Sequence, residues 1–284
     1  MTLILGISKP DGIYMSVDYR VTDARSGRVL DDASVKFLTI HYPPDKGGTK
    51  ALLAYTGLAV VPDGTPTGTP TGIWIRETLR GETEVIDQSM RHLLNRLNRD
   101  IAKLKVPLII KVLVIEPERR LFGGFSNLWQ RGKADNQPEQ VLDSFGYEMR
   151  KLDRPCWFAN GSGGATAIAD HQELIETQLA VWPRKPLDHM KLLASVNRRV
   201  AAKEPTVSPW CQVSFIPTSG GGPLGHDFVE SGETVPFSMP VLLFGLDLTD
   251  TTARFMEDAK TLRAGQEPTP IDTNTINEGL KRRP

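Results

Sequence analysis

The opening twenty residues constrain this chain most. Met1-Thr2-Leu3-Ile4-Leu5-Gly6-Ile7-Ser8 and Ile13-Tyr14-Met15-Ser16-Val17-Asp18-Tyr19-Arg20 are two runs rich in β-formers, separated by Lys9-Pro10-Asp11-Gly12. Proline presets φ and glycine accepts φ > 0, so the spacing predicts a hairpin. A hairpin of this length returns the end of its second strand to the start of its first, which puts Asp18 beside Thr2. Aminopeptidases remove a Met that precedes a small residue, so Thr2 is expected as the mature N-terminus, with no propeptide ahead of it. It then carries a hydroxyl nucleophile and an α-amine of reference pKa about 8, suited to act as a base. Most Met-Thr starts are inert, so the rest of the chain must supply the partners.

Downstream, residues 22–32 read as a loop. Residues 33–40 read as a strand with Lys36 embedded in it, either at an edge with its amine in solvent or turned toward Asp18. Residues 50–55 form a buried-type strand ending in Thr56-Gly57, and a glycine there marks close approach of a backbone or ligand. The Pro/Gly/Thr repeat over residues 62–72 reads as an exposed mobile loop. Residues 73–79 start a short helix. Val85, Ile86, Met90, Leu93, Leu94, Leu97 and Ile101 predict one amphipathic helix over 84–104. Strands are expected over 107–115, 121–128 and within 147–158, with a polar loop at 131–138. Asn160-Gly161-Ser162-Gly163-Gly164 is a tight turn, or an anion site, at the head of a helix over 165–182. A further helix over 186–203 leads through Glu204-Pro205-Thr206-Val207-Ser208 to a strand at 210–216. Residues 219–222 read as a flexible loop, 240–247 as a last strand and 251–262 as a helix before a tail. Strands, two helices, strands, two helices and strands lack the alternation of a doubly wound parallel sheet. They predict an α+β fold of two mainly antiparallel sheets with helices on the outer faces.

Lys+Arg and Asp+Glu are equal at 34 each. A neutral chain gives no electrostatic reason to expect nucleic acid or an anionic membrane as partner. No apolar run is long enough to span a bilayer and no signal peptide opens the sequence, so a cytoplasmic protein is expected. Cys156 and Cys211 lie outside any CxxC pattern, which suggests a reducing compartment and neither disulfides nor a zinc site. His41, His92, His171, His189 and His226 show no HxH or HExxH spacing. No metal or other cofactor is expected, and no GxSxG elbow competes with Thr2. The length suits one large domain or two small ones; a domain over 1–248 with an extension over 249–284 is expected.

Thr at the start together with this element order resembles the proteasome β-subunit family of N-terminal-nucleophile hydrolases, over roughly residues 2–248. "GIYMSVDYRVT" is similar to that family's segment carrying Asp and Arg, here Asp18 and Arg20. "ASVKFLTI" resembles the strand bearing its active-site lysine, here Lys36. "AYTGLA" resembles the segment supplying the oxyanion-hole glycine, here Gly57. "GSGGATA" resembles its Gly-Ser-Gly turn, here with Ser162. The resemblance implies a four-layer αββα sandwich and a threonine-type endopeptidase, with Thr2, Asp18, Lys36, Gly57, Ser162 and Ser208 as catalytic residues. It implies substrate contacts at Arg20, Tyr55 and Ala59, with Tyr55 narrowing the specificity pocket and Ser162 bonding the α-amine. Peptides or unfolded proteins are the implied substrates, and a homo-oligomer of stacked rings the implied assembly, with an ATPase or adaptor as an open partner. The lone bacterial proteasome homologues are the most similar branch. One departure stands out: the family's hinge reads Asp-x-x-Ser, and here the aspartate is missing unless Glu204 substitutes at a shifted spacing. A ring-forming scaffold with a degenerate site, or an amidohydrolase of small amides, therefore remain alternatives.

Overall fold

Leu3–Lys9 (β1) and Gly12–Asp18 (β2) pair antiparallel across Pro10-Asp11, with Ile4 opposite Val17. The computed structural model describes residues 2–22, 28–82, 85–129, 140–180, 185–219, 223–229 and 239–251. Every residue of both strands is buried, because the pair is covered on each face. Such strands read as near-continuous apolar runs.

The chain continues through Val21–Thr22 (β3) and Val29–Asp31 (β4), then Phe37–His41 (β5), Lys50–Gly57 (β6), Val60–Val61 (β7) and Thr69–Pro70 (β8). Helices Thr71–Leu79 (α1) and Ile86–Arg96 (α2) precede Leu108–Ile115 (β9), Arg120–Trp129 (β10), Gln140–Lys151 (β11) and Cys156–Gly161 (β12). Helices Gly164–Ala180 (α3) and Pro186–Ala201 (α4) lead to Cys211–Pro217 (β13), Leu224–Phe228 (β14), Val241–Leu243 (β15) and Leu246–Asp247 (β16). One sheet runs β12-β1-β2-β13-β14 and the other β11-β10-β9-β6-β5-β15-β16. The fold is mixed α+β with two mainly antiparallel sheets; the β5–β15 pair alone among the described ladders is parallel.

Side chains alternate across each strand, so each sheet feeds two cores. Leu3, Leu5 and Ile7 pack with Ala167 and Ile175 of α3 and with Met190, Leu193, Val196 and Val200 of α4. Ile4, Met15 and Val17 face the other way, onto Leu52, Ala54 and Leu113 of the second sheet. The far side of that sheet, through Leu53, Ile110 and Val112, meets Trp74, Ile75, Met90 and Leu93 of α1 and α2. Gly6 is required where it stands: a Cβ there would lie 2.1 Å from the Phe158 ring, which stacks on Phe122 between the sheets.

Several expectations need correction. The segment 22–32 is not all loop, since β3 and β4 form a small ribbon there. The repeat at 62–72 contributes β8, and Asp63 gathers the Thr65 N–H and the Thr65 and Thr69 hydroxyls. The 84–104 helix is α2 followed by a π-helical turn at Leu97–Ile101 and a 3-10 turn at Ala102–Leu104. The widened turn keeps Leu97 and Ile101 on the buried face. Strand β5 starts one residue after Lys36, so that lysine stands at the strand's threshold rather than inside it. The last strand divides at the tight Phe244-Gly245 turn into β15 and β16. The loop at 131–138, the glycines at 220–222 and the extension beyond 251 lie outside the described residues. No helix among the described residues is long and apolar enough to cross a membrane.

Candidate active site

The β1–β2 register places Asp18 at the mouth of the first sheet, next to residue 2. Asp18 Oδ1 accepts the Leu3 N–H at 2.8 Å. Its Oδ2 accepts the Arg20 N–H at 3.1 Å and the Ser208 N–H at 3.0 Å. Lys36 Nζ stands 3.7 Å from Oδ1. Both oxygens are surrounded by donors, which leaves no acceptor for a carboxyl proton and identifies Asp18 as a carboxylate. Burial raises its pKa on balance, and the Lys36 charge and the three N–H groups oppose that rise.

Lys36 reaches this corner because it comes just before β5, opposite the end of β2. Its Nζ lies 2.7 Å from Thr2 Oγ1 and 3.2 Å from the Asp18 carbonyl, and it also bonds the Arg20 carbonyl. Burial lowers its pKa from the ordinary lysine value, opposed by Asp18, Asp31 and Asp32. As an ammonium, Nζ has one hydrogen for each of its three acceptors, the hydroxyl and the two carbonyls; once it loses a proton, its lone pair can take the place of the bond to the Thr2 hydroxyl.

Thr2 is clamped from the other side by β12. The Ser162 N–H donates to the Thr2 carbonyl at 3.1 Å. Gly161, at φ +88°, lies so close that a Cβ would stand 1.7 Å from that carbonyl oxygen and 3.3 Å from Thr56 Oγ1. The end of β6 therefore abuts Thr2 and brings Gly57 into the same corner. Gly57 is exposed, at φ +109°, and a Cβ there would meet the Pro107 carbonyl at 2.1 Å. The Leu58 N–H bonds Pro107 on one side and the Tyr55 N–H bonds the Lys36 carbonyl on the other. Alternation along a strand then points the Gly57 N–H the way the Tyr55 N–H points, toward the space before β5 begins.

The remaining residues singled out from sequence take other positions. The Arg20 guanidinium grips Asp32 with two bonds of 2.8 and 3.0 Å and donates to the Pro205 and Val207 carbonyls, so it ties the hinge down instead of facing a substrate. Ser162 Oγ pairs with Thr206 Oγ1 at 2.9 Å. Ser208 contributes its N–H to Asp18, while its Oγ accepts the Trp210 N–H at 3.2 Å. Tyr55 is buried in the helix-side core, and the Gly72 N–H reaches its hydroxyl. The Ala59 carbonyl accepts the Thr71 N–H at 2.9 Å, at the head of α1. Glu204 accepts the Thr166 hydroxyl at 2.7 Å, on α3 rather than at Thr2. Asp32 and Thr206 are the participants that sequence reasoning missed. No local spacing marks either one, since each acts across a long loop.

Among the described residues, no three His, Cys, Asp or Glu side chains are grouped so as to hold a metal ion. Comparison with family models and with curated proteins returns no match to this chain.

Proposed function

We propose that the protein is a threonine-type hydrolase of peptide bonds, with Thr2 as nucleophile after Met1 is removed. The observation that carries the reading is Lys36 Nζ 2.7 Å from Thr2 Oγ1, with Asp18 behind it. The helix–sheet–sheet–helix succession of cores supports the finer proposal of the four-layer αββα fold of N-terminal-nucleophile hydrolases. A homo-oligomer acting on peptides or unfolded chains in the cytoplasm completes the proposal.

In the reaction, Thr2 Oγ1 attacks the scissile carbonyl carbon and its proton passes to Lys36 or to the freed α-amine. The negative charge that develops on the carbonyl oxygen is taken by the Gly57 N–H, a contribution of about 3–4 kcal/mol where such donors have been removed from other enzymes. The C–N bond then breaks as the proton is delivered to the leaving amine. Water cleaves the resulting ester by the reverse proton route and regenerates Thr2.

Intact mass with and without a β-lactone tests this. Loss of Met1 and one adduct, absent in Thr2→Ala, is the expected result; retained Met1 sinks it. A second reading, a scaffold with a degenerate site, draws on one observation: the hinge carboxylate, Glu204, is engaged with Thr166. Met1 removed with no adduct would favour that reading.

A further inference from the structure

Resting on the Thr2 reading, we propose that Asp32 is a positioning residue for Lys36, acting through Arg20. Every link between them is a direct contact. The two oxygens of Asp32 hold the Arg20 guanidinium, at 2.8 Å to Nε and 3.0 Å to Nη2. The backbone of the same arginine serves the lysine on two sides. Its N–H donates to Asp18 Oδ2 at 3.1 Å, and its carbonyl accepts Lys36 Nζ. Nζ in turn stands 2.7 Å from Thr2 Oγ1. The remaining guanidinium nitrogen, Nη1, reaches the Pro205 and Val207 carbonyls at 2.8 and 3.3 Å. The next hinge residue, Ser208, donates its N–H to Asp18 at 3.0 Å.

Asp18 lies near enough to attract the Arg20 charge as well. A carboxylate engaged on both Nε and Nη2 fixes the plane of a guanidinium. Asp32 thereby keeps that cation turned from Asp18, which stays the counter-charge of Lys36 at 3.7 Å from Nζ. Asp18 on β2, Asp31 on β4 and Asp32 just beyond it all favour the Lys36 ammonium, against burial. Asp31 turns to the Ala33 N–H and the Ser34 hydroxyl, so it adds charge to the same ribbon without holding the arginine. Losing Asp32 therefore has two consequences. A charge that favours the ammonium goes, and an unmatched guanidinium competes with Lys36 for Asp18. Both lower the pH at which Lys36 gives up a proton. Only the second shifts the residue 20 backbone on which Nζ is held.

The test measures two quantities on full-length protein lacking Met1. The first is the limiting rate of acylation by a saturating β-lactone across pH, followed by intact mass. The second is the titration midpoint of Lys36, read by NMR at Cε in protein carrying isotope-labelled lysine and assigned with Lys36→Met. It reads the amine without requiring catalysis. Asp32→Asn is expected to lower the limiting rate about tenfold, the result of a displaced base. It is also expected to lower the Lys36 midpoint by about half a unit or more. Asp32→Glu, which keeps the charge and the two-pronged grip, restores both. Asp31→Asn removes an equal charge, leaves Arg20 held and keeps the limiting rate. An Asp32→Asn protein with the wild-type limiting rate, or with an unmoved midpoint, overturns the proposal, as does an equal loss of rate in Asp31→Asn. If wild-type protein takes no adduct at any pH, the nucleophile reading falls, and the Lys36 midpoint still decides whether Asp32 governs the amine.

Discussion

Asp18→Asn is the sharpest probe of the site, because the cost follows from counting donors. Oδ1 serves the Leu3 N–H and faces Lys36; Oδ2 serves the Arg20 and Ser208 N–H groups. An amide has the same shape but replaces one of these oxygens with a donor. If the NH2 takes the Oδ2 place, two backbone N–H groups lose their acceptor. If it takes the Oδ1 place, the Leu3 N–H loses its acceptor and a neutral amide replaces the carboxylate 3.7 Å from the Lys36 amine. The first rotamer orphans two donors and the second one, at about 1–3 kcal/mol each, so the variant is expected to lose about 1–6 kcal/mol of stability. At 2–4 °C per kcal/mol for a chain of this size, the lower bound already lowers Tm by about 2–4 °C. Urea unfolding followed by tryptophan fluorescence measures the loss, with Asp32→Asn as the control. Asp32 is partly exposed and ion-paired with Arg20, so its cost is expected at about 1 kcal/mol. A loss below 1 kcal/mol in Asp18→Asn would refute the assignment of Asp18 as a fully coordinated carboxylate.

His41 gives the pH dependence. Burial and the neighbouring Lys50 charge lower its pKa from 6.5 to about 4. A folded-state pKa below the unfolded value means that the unfolded chain binds more protons between the two. Stability is therefore present in full above about pH 6.5 and declines as pH falls toward 4, by about 2–3 kcal/mol after allowing for partial exposure. His41→Gln should flatten that slope in urea titrations between pH 4 and 7, and an unchanged slope rules His41 out as its source. Gly161→Ala places a Cβ 1.7 Å from the Thr2 carbonyl oxygen at φ +88°, so Thr2 must move and β-lactone acylation should fall at least about tenfold. An acylating Gly161→Ala would show that the clamp on Thr2 is dispensable. Arg20→Lys loses the two-pronged grip on Asp32 and should cost about 1–2 kcal/mol in unfolding experiments.

What could be read in the sequence was what is local or periodic. The β1–β2 hairpin is set by Pro10-Asp11-Gly12, and its register alone carries Asp18 to the start of β1. The buried faces of α2 and α4 repeat every three to four residues and announce themselves. Strand β14 did not, because Leu-Gly-His-Asp-Phe at a sheet edge carries neither alternation nor an apolar run. The parallel pairing of β15 with β5 joins residues some two hundred positions apart and has no sequence signature. The same holds within the site. Lys36 was legible as an out-of-place cation, but its three acceptors are two backbone carbonyls and one hydroxyl, which composition cannot show. The partners of Arg20 and Glu204 were not legible for one reason: a charged side chain's partner is decided by which loop folds against it, here Asp32 for one and Thr166 for the other.

The way residue 2 is held argues that the corner serves more than packing. A strand's flank needs only its ladder bonds, and β1 has those from Leu3 to Ser8 on one side and from Ile4 to Lys9 on the other. Thr2 adds a bond to its carbonyl from Ser162, an N–H on the following residue to Asp18, and a lysine amine at its hydroxyl. Lys36 and Asp18 are both buried, at 3% and 1% exposure. Burying such a pair stabilises a fold little, and apolar residues of equal volume often do as well or better. Two desolvated charges kept at a threonine hydroxyl therefore cost stability without improving the core. That cost is accounted for if the lysine's lowered pKa is what the site requires, since an amine 2.7 Å from Oγ1 that gives up its proton more readily is a base within reach. Lys36→Met separates the two accounts. On the proposed chemistry it should lower acylation by about 10²–10⁴ whatever it does to Tm. A variant that keeps its reactivity would return the pair to the category of structural ion pairs.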